Sequence, residues 1–265
     1  MGSMAEQRHV LTRDSPWMRA RVLLDREVVS RETVAGALEH RLFGPEVDRG
    51  RFQRGCDYAA DAGLAAVVCR PEHVSIAARR LLGSSTATVT TLGFHDTTRL
   101  QDPADLAAEA LELVAAGASE VALVVAPGLD RQGCLHLVQE QVEAVVDAVA
   151  PAGGKVRVML NTTDTSKEQM TECTALVGGL GPSLVQGGSF RGDRATFSQI
   201  EAMRHCLPDR VLLKWTQPLR SVEMMLVSMA LGVDRFNGDI PALLESAKRS
   251  TRIAPLKLPV HGVDF

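Results

Sequence analysis

The stretch VLLKWTQPLR, residues 211–220, sets an amine inside an apolar run. Only five of the 29 basic residues are lysines, so Lys214 is not one of a crowd of solvated ammonium groups. Burial disfavours the charged form and lowers a lysine pKa. A neutral amine is a base, or a nucleophile that forms a Schiff base with a carbonyl compound. The alternative is a lysine at a strand end that reaches water or pairs structurally with Glu39 or Asp239. Glu39, in GALEHRLF (36–43), is either an inward-facing acid or a residue on a helix surface. If inward, it forms an acid/base pair with Lys214. Polar residues near the ends of other apolar runs are candidates to hold a substrate: His95, Asn161, Gln186, Ser189, Arg191, Gln217, Asn237 and Asp239. Arg191 and Arg220 suit a carboxylate. Cys69 lacks an identifiable base and reads as a buried, inert thiol. His40, His95 and Asp96 come from different segments without metal-ligand spacing, so no metal is expected.

Elements that could position these residues alternate along the chain. Apolar runs at 65–69, 87–94, 120–126, 156–161, 183–186, 210–214 and 233–237 read as strands, with an eighth at 36–43 whose pattern also fits a helix. Helical patterns lie between them. In PADLAAEALELVAAG (103–117), Leu106, Ala110, Leu113 and Val114 share a face, and Gly117 suits the stop. Ser166 is placed to cap the helix of SKEQMTECTALVGG (166–179), with Glu168 near it. Buried strands each followed by a helix predict a parallel sheet. Eight such units in 265 residues predict an α/β fold, a (β/α)8 TIM barrel, with its active site at the C-terminal strand ends. The expected boundaries are a tag remnant and tail at 1–18, one barrel domain at 19–250 and a Pro-interrupted tail at 251–265.

The totals narrow the function classes. A net charge of −3 demands no basic face, which argues against nucleic acid as a partner. No stretch approaches a membrane span. Five scattered cysteines without a CxxC pair predict reduced thiols and a cytoplasmic protein. Neither GxGxxG nor GxxxxGK occurs, so no nucleotide cofactor is expected, and no cofactor of another kind.

Several segments together resemble the deoxyribose-phosphate aldolases, the class I aldolases of the DeoC group. CDYAADAGLAAVVCRPEHVSIAARRLLGSS is similar to the family's second strand and following helix, and GASEVALVVAPG to its fourth strand. VQGGSFRGDRAT is similar to the sixth strand and loop, and LLKWTQPLRSVEMMLVSMALGVDRF to the seventh and eighth. The similarity runs from about residue 35 to 250. It implies a barrel, an aldolase-type lyase without cofactor, and a dimer or larger assembly.

The resemblance breaks at the family's catalytic positions. Gln186 stands where the family has its Schiff-base lysine, and an amide cannot form an imine. Ala122 replaces the fourth-strand aspartate, a proton-transfer residue. Lys214 matches the seventh-strand lysine that lowers the nucleophile's pKa, and Glu39 stands for the first-strand aspartate. The Gly-Gly pair whose N–H groups hold phosphate reads Gln217-Pro218, and proline offers no N–H. The small run after the eighth strand reads Asn237-Gly238-Asp239, where a carboxylate repels phosphate.

The first expectation is therefore a repurposed lyase that makes or breaks a C–C bond in a small, non-phosphorylated carbonyl compound through a Schiff base on Lys214. Glu39 or a bound water would move protons. The second is an imine-free cyclase, dehydratase or isomerase of specialised biosynthesis, with Lys214 protonated and Gln186, Asn161 and Ser189 orienting the substrate. The third is a non-catalytic ligand binder.

Overall fold

The structure is a computed structural model that describes residues 30–93, 100–126, 128–129, 133–162, 165–188, 196–217, 219 and 221–253. A short helix, α1 (Arg31–Ala35), precedes β1 (Glu39–Leu42). Then come α2 (Arg49–Ala62), β2 (Ala66–Cys69), α3 (Val74–Arg80) and β3 (Ala87–Thr91). These are followed by α4 (Pro103–Ala115), β4 (Glu120–Val124), α5 (Leu135–Val149) and β5 (Lys155–Met159). The last third holds α6 (Lys167–Gly179), β6 (Leu184–Gly188), α7 (Phe197–Cys206), β7 (Leu212–Thr216), α8 (Val222–Ala230), β8 (Arg235–Phe236) and α9 (Ile240–Ile253).

The eight strands pair in chain order, all parallel. A bridge between Leu38 and Phe236 joins the last strand to the first, with Phe236 N donating to Ala37 O at 2.8 Å. This is the (β/α)8 barrel that the alternation predicts. The segment around Glu39, ambiguous by pattern, is a strand.

Helix ends follow local chemistry. Asp102 caps α4 by accepting from Ala104 N, with Pro103 in the first turn. Leu106, Ala110 and Leu113 are buried on its inner face. Ser166 caps α6 as its sequence suggests, with Glu168 in the first turn and Gln169 as the reciprocal partner of a capping box.

The period of two divides each strand between the helix layer and the barrel interior. On β7, Leu213 and Trp215 are fully buried in the core cluster shared with the helices. Lys214 therefore faces inward. On β1, Leu42 packs in the same cluster, which puts Glu39 and Arg41 on the inward face. The interior is split. Ala66, Val68 and Val89 form an apolar wall on β2 and β3. Glu39, Glu120, Arg157, Gln186 and Lys214 supply buried polar groups from β1, β4, β5, β6 and β7.

Two strands run further than their sequence predicts. β6 continues through Gly187 and Gly188, and β7 through Trp215 and Thr216, because these four residues pair with one another. Lys214 thus lies at the centre of β7, not at its end. The glycines permit this closeness. A Cβ on Gly187 would stand 2.5 Å from Met203 Sδ, and one on Gly188 would stand 2.2 Å from Thr216 O. Gly188 also has φ +102°, and its N–H donates to Thr162 Oγ1 at 3.0 Å. Gly188→Ala is expected to lower stability by about 2–4 kcal/mol, from strain plus a backbone clash. Gly153→Ala, also at positive φ but with nothing within 4 Å, should cost only about 1 kcal/mol. Urea unfolding of both variants checks the difference.

Candidate functional site

Arg157 sits at the centre of the polar half of the barrel. It points inward from β5, and its side chain is 2% exposed. Its Nη2 and Nη1 donate to the two oxygens of Glu39 at 2.7 and 2.9 Å, a bidentate pair. Its Nε donates to Glu120 Oε1 at 2.5 Å, and Nη2 also contacts that carboxylate. Its Nη1 donates a further bond to Gln186 Oε1 at 3.2 Å. Gln186 passes the connection on, donating from Nε2 to Thr216 Oγ1 at 2.9 Å. Lys214 closes the set with an ion pair to Glu39 Oε2. Two carboxylates and two cations thus share the interior, and their charges cancel.

The electrostatics follow from this packing. Burial alone would raise the Glu39 carboxyl. The charges of Arg157 and Lys214, and their hydrogen bonds, outweigh it and hold Glu39 well below the usual carboxylate range. Burial alone would lower the Arg157 guanidinium, but Glu120 and Glu39 outweigh it and keep that group firmly charged. Lys214 goes the other way. Burial pushes its amine down, Glu39 pushes back, and Arg157 adds to the fall, leaving a pKa of about 8 against an ordinary 10.5.

Lys214 opens onto a cavity of about 250 Å³. Arg41, Thr91, Arg157, Gln186, Thr216 and Asn237 supply its polar lining, and Phe43, Val68, Ala122 and Met159 its apolar lining. Glu39 lies behind Lys214 and outside this lining. The absence of a side-chain acid at Ala122, 1% exposed, leaves the β4 wall apolar at this level.

Of the residues singled out by sequence, the structure brings Glu39, Lys214 and Gln186 into one network, with Asn237 on the same cavity. Asn161 and Gln217 are half-buried and are not part of the lining. Gln217 Nε2 is buried with no partner among the described residues. Asp239 is exposed, its Oδ1 accepts from Ala242 N at 3.2 Å at the start of α9, and it is not part of the lining. His95, Ser189 and Arg191 lie outside the described residues, as do Asp96 and Arg220. Cys69 is buried, and burial, with smaller contributions from Cys56 and Glu72, pushes its thiol up to about 12, in keeping with an inert role. His40 packs edge-on against Tyr58 with ring centroids 6.0 Å apart. No group of metal-ligating side chains occurs among the described residues, and no helix among them is long and apolar enough to cross a membrane.

Sequence reasoning missed Arg157 and Glu120. The signal was available: each is a charged residue inside a run that otherwise reads as a buried strand, KVRVM and EVALV, as Lys214 is in its own.

Comparisons with known proteins agree with the resemblance seen in the sequence. No family model matches the chain. The deoxyribose-phosphate aldolase of Methanothermobacter thermautotrophicus is 28% identical over 210 residues, 78% of this chain and 92% of the relative. Deoxyribose-phosphate aldolase 1 of Cutibacterium acnes is 26% identical over 204 residues, 77% of this chain and 92% of the relative. Among solved structures, the tetrameric deoxyribose phosphate aldolase of Aeropyrum pernix superposes with a TM-score of 0.71 at 19% identity. That match covers 90% of this chain and 99% of the other, a likeness of fold.

Removing the central guanidinium would leave Glu39 and Glu120 buried with one cation between them. Arg157→Met is expected to cost about 3–5 kcal/mol, the usual penalty for an uncompensated buried charge. Urea denaturation at neutral pH measures it.

Proposed function

We propose that this relative of the deoxyribose-phosphate aldolases is a lyase that makes or breaks a C–C bond in a small, non-phosphorylated carbonyl compound, with Lys214 as the reacting amine. The observation that carries this reading is the amine itself. Lys214 is 2% exposed, opens onto the cavity, and has a pKa lowered to about 8. At pH 7 such an amine is roughly 10% neutral, about 300 times more than an ordinary lysine. Only the neutral form attacks a carbonyl.

In the cleavage direction, the Nζ lone pair adds to the carbonyl carbon. Loss of water from the resulting carbinolamine leaves a protonated imine. The C–C bond between the substrate's α and β carbons then breaks, its electrons flowing to the iminium to give an enamine, while the β-hydroxyl loses its proton and becomes a carbonyl. Protonation of the enamine and hydrolysis of the imine release the second product and restore Lys214. Glu39 fits the part of a counter-ion better than that of a proton carrier, because Arg157 and Lys214 engage both its oxygens and hold it ionised. Proton transfer then falls to water in the cavity. Gln186 is held by Arg157 and Thr216 and acts as a fixed polar wall.

The absence of a substrate phosphate is supported at the end of β8. Barrels of this kind often place phosphate at the loops after strands seven and eight and a nearby helix N-terminus. Here Asp239 already caps α9 and puts a negative charge at that end.

The ion pair with Glu39 favours a second reading, in which Lys214 stays an ammonium group and polarises a carbonyl or stabilises an oxyanion without covalent attachment.

Borohydride reduction with small aldehydes, ketones and 2-oxo acids, followed by intact-mass analysis, separates the two readings. The first expects an adduct on the native chain that Lys214→Met abolishes. Its yield should rise with pH around a midpoint near 8 and level off above it. Turnover of a carbonyl substrate without any adduct favours the second reading. Ligand binding without turnover or adduct favours a non-catalytic binder.

A further inference from the structure

We infer that Arg41 forms a carboxylate subsite at the mouth of the cavity, so that the carbonyl compound reacting at Lys214 is a short oxo acid. This deepens the reading of Lys214 given above and rests on it.

The charges lining the cavity are one-sided. Arg41, Arg157 and Lys214 contribute to its wall, and no carboxylate among the described residues does. Arg157 and Lys214 are neutralised from behind by Glu39 and Glu120. Arg41 has no ion-pair or hydrogen-bond partner among the described residues, so none of them balances its charge. The residue is exposed, and its guanidinium lies over the Phe43 ring, with Cζ 4.7 Å from the ring centroid. Stacking of this kind restrains the planar group and leaves its N–H edge free for a ligand.

Position supports the assignment. Arg41 stands two residues beyond Glu39 on the inward face of β1. That places its Cα roughly 7 Å closer to the barrel mouth than the level of Glu39, the counter-ion of Lys214. A ligand reaching from Arg41 to Lys214 therefore spans one layer of side chains. A guanidinium fork pairs bidentately with a planar carboxylate. The cavity of about 250 Å³ is in scale with a molecule of a few carbons.

The test pairs each acid with its neutral isostere. Pyruvate, 2-oxobutyrate and levulinate are compared with their primary amides, for borohydride-trapped adduct and, without borohydride, for binding by calorimetry. The wild-type protein should prefer the acids by about tenfold in both measurements. In Arg41→Gln, and less completely in Arg41→Lys, the ratio of acid to amide should collapse towards one. Using a ratio removes any general loss of folded protein. Equal treatment of acid and amide by the wild-type protein, or a preference that survives Arg41→Gln, overturns the inference. So does failure of every probe to bind. Trapping of acids and amides alike would overturn the subsite while leaving imine chemistry at Lys214 intact. Binding of acids through Arg41 without any adduct would uphold the subsite and remove the imine. Glyceraldehyde 3-phosphate against glyceraldehyde forms the phosphate arm. An Arg41-dependent preference there, with none for the oxo acids, overturns the carboxylate assignment.

Discussion

Arg157 stands between two carboxylates deep in the barrel, with its side chain 2% exposed. Moving any one of these charges into such a place costs several kcal/mol. The cost is offset only because each group finds partners with good geometry. The guanidinium binds Glu39 with two donors and Glu120 with its remaining edge, and still reaches Gln186. Lys214 completes the neutrality. The side chains come from β1, β4, β5, β6 and β7, so the network fixes the relative heights of five of the eight strands. The apolar wall of Ala66, Val68 and Val89 fills the other side. A mistake in strand register would strand a charge, which makes the polar half of the barrel a device of specificity as well as chemistry.

The same interaction sets the state of the candidate amine. Glu39 alone beside Lys214 would hold the proton on tightly. Arg157 occupies both oxygens of that carboxylate and brings a second positive charge near the amine. The result is a lysine poised close to neutral pH. The guanidinium from β5 is the neighbouring cation of this amine. Arg41 adds the one charge on the cavity that nothing within the described structure balances.

Much of this was legible in the residues. Alternating apolar runs and amphipathic segments specify a barrel because each strand, buried on both faces, needs a helix to cover it. Lys214 was visible because a charge interrupts an apolar run. Arg157 and Glu120 carry the same mark and were passed over, since they lie away from the strand ends where barrel chemistry is usually sought. Partner identity was not legible, because Arg157 meets Glu39 across 118 positions of chain and only closure of the barrel brings them together. The extent of β6 and β7 was misjudged because Gly187-Gly188 reads as a loop, yet it is the absence of side chains there that lets Trp215 and Thr216 pair. Asp239 looked like a site residue at a strand end. Pro241, two residues later in the first turn of α9, was the sign that it is a helix cap.

The central claim is that the barrel interior holds Lys214 as an amine that ionises near neutral pH. With five lysines in the chain, isotope-labelled lysine and NMR titration of the side-chain resonances can follow each one, with Lys214→Met assigning the signal. A single lysine with its midpoint near 8, absent from the variant, is the expected result. A Lys214 that titrates near its ordinary 10.5 would contradict the account, because the network would then be no more than a buried ion pair.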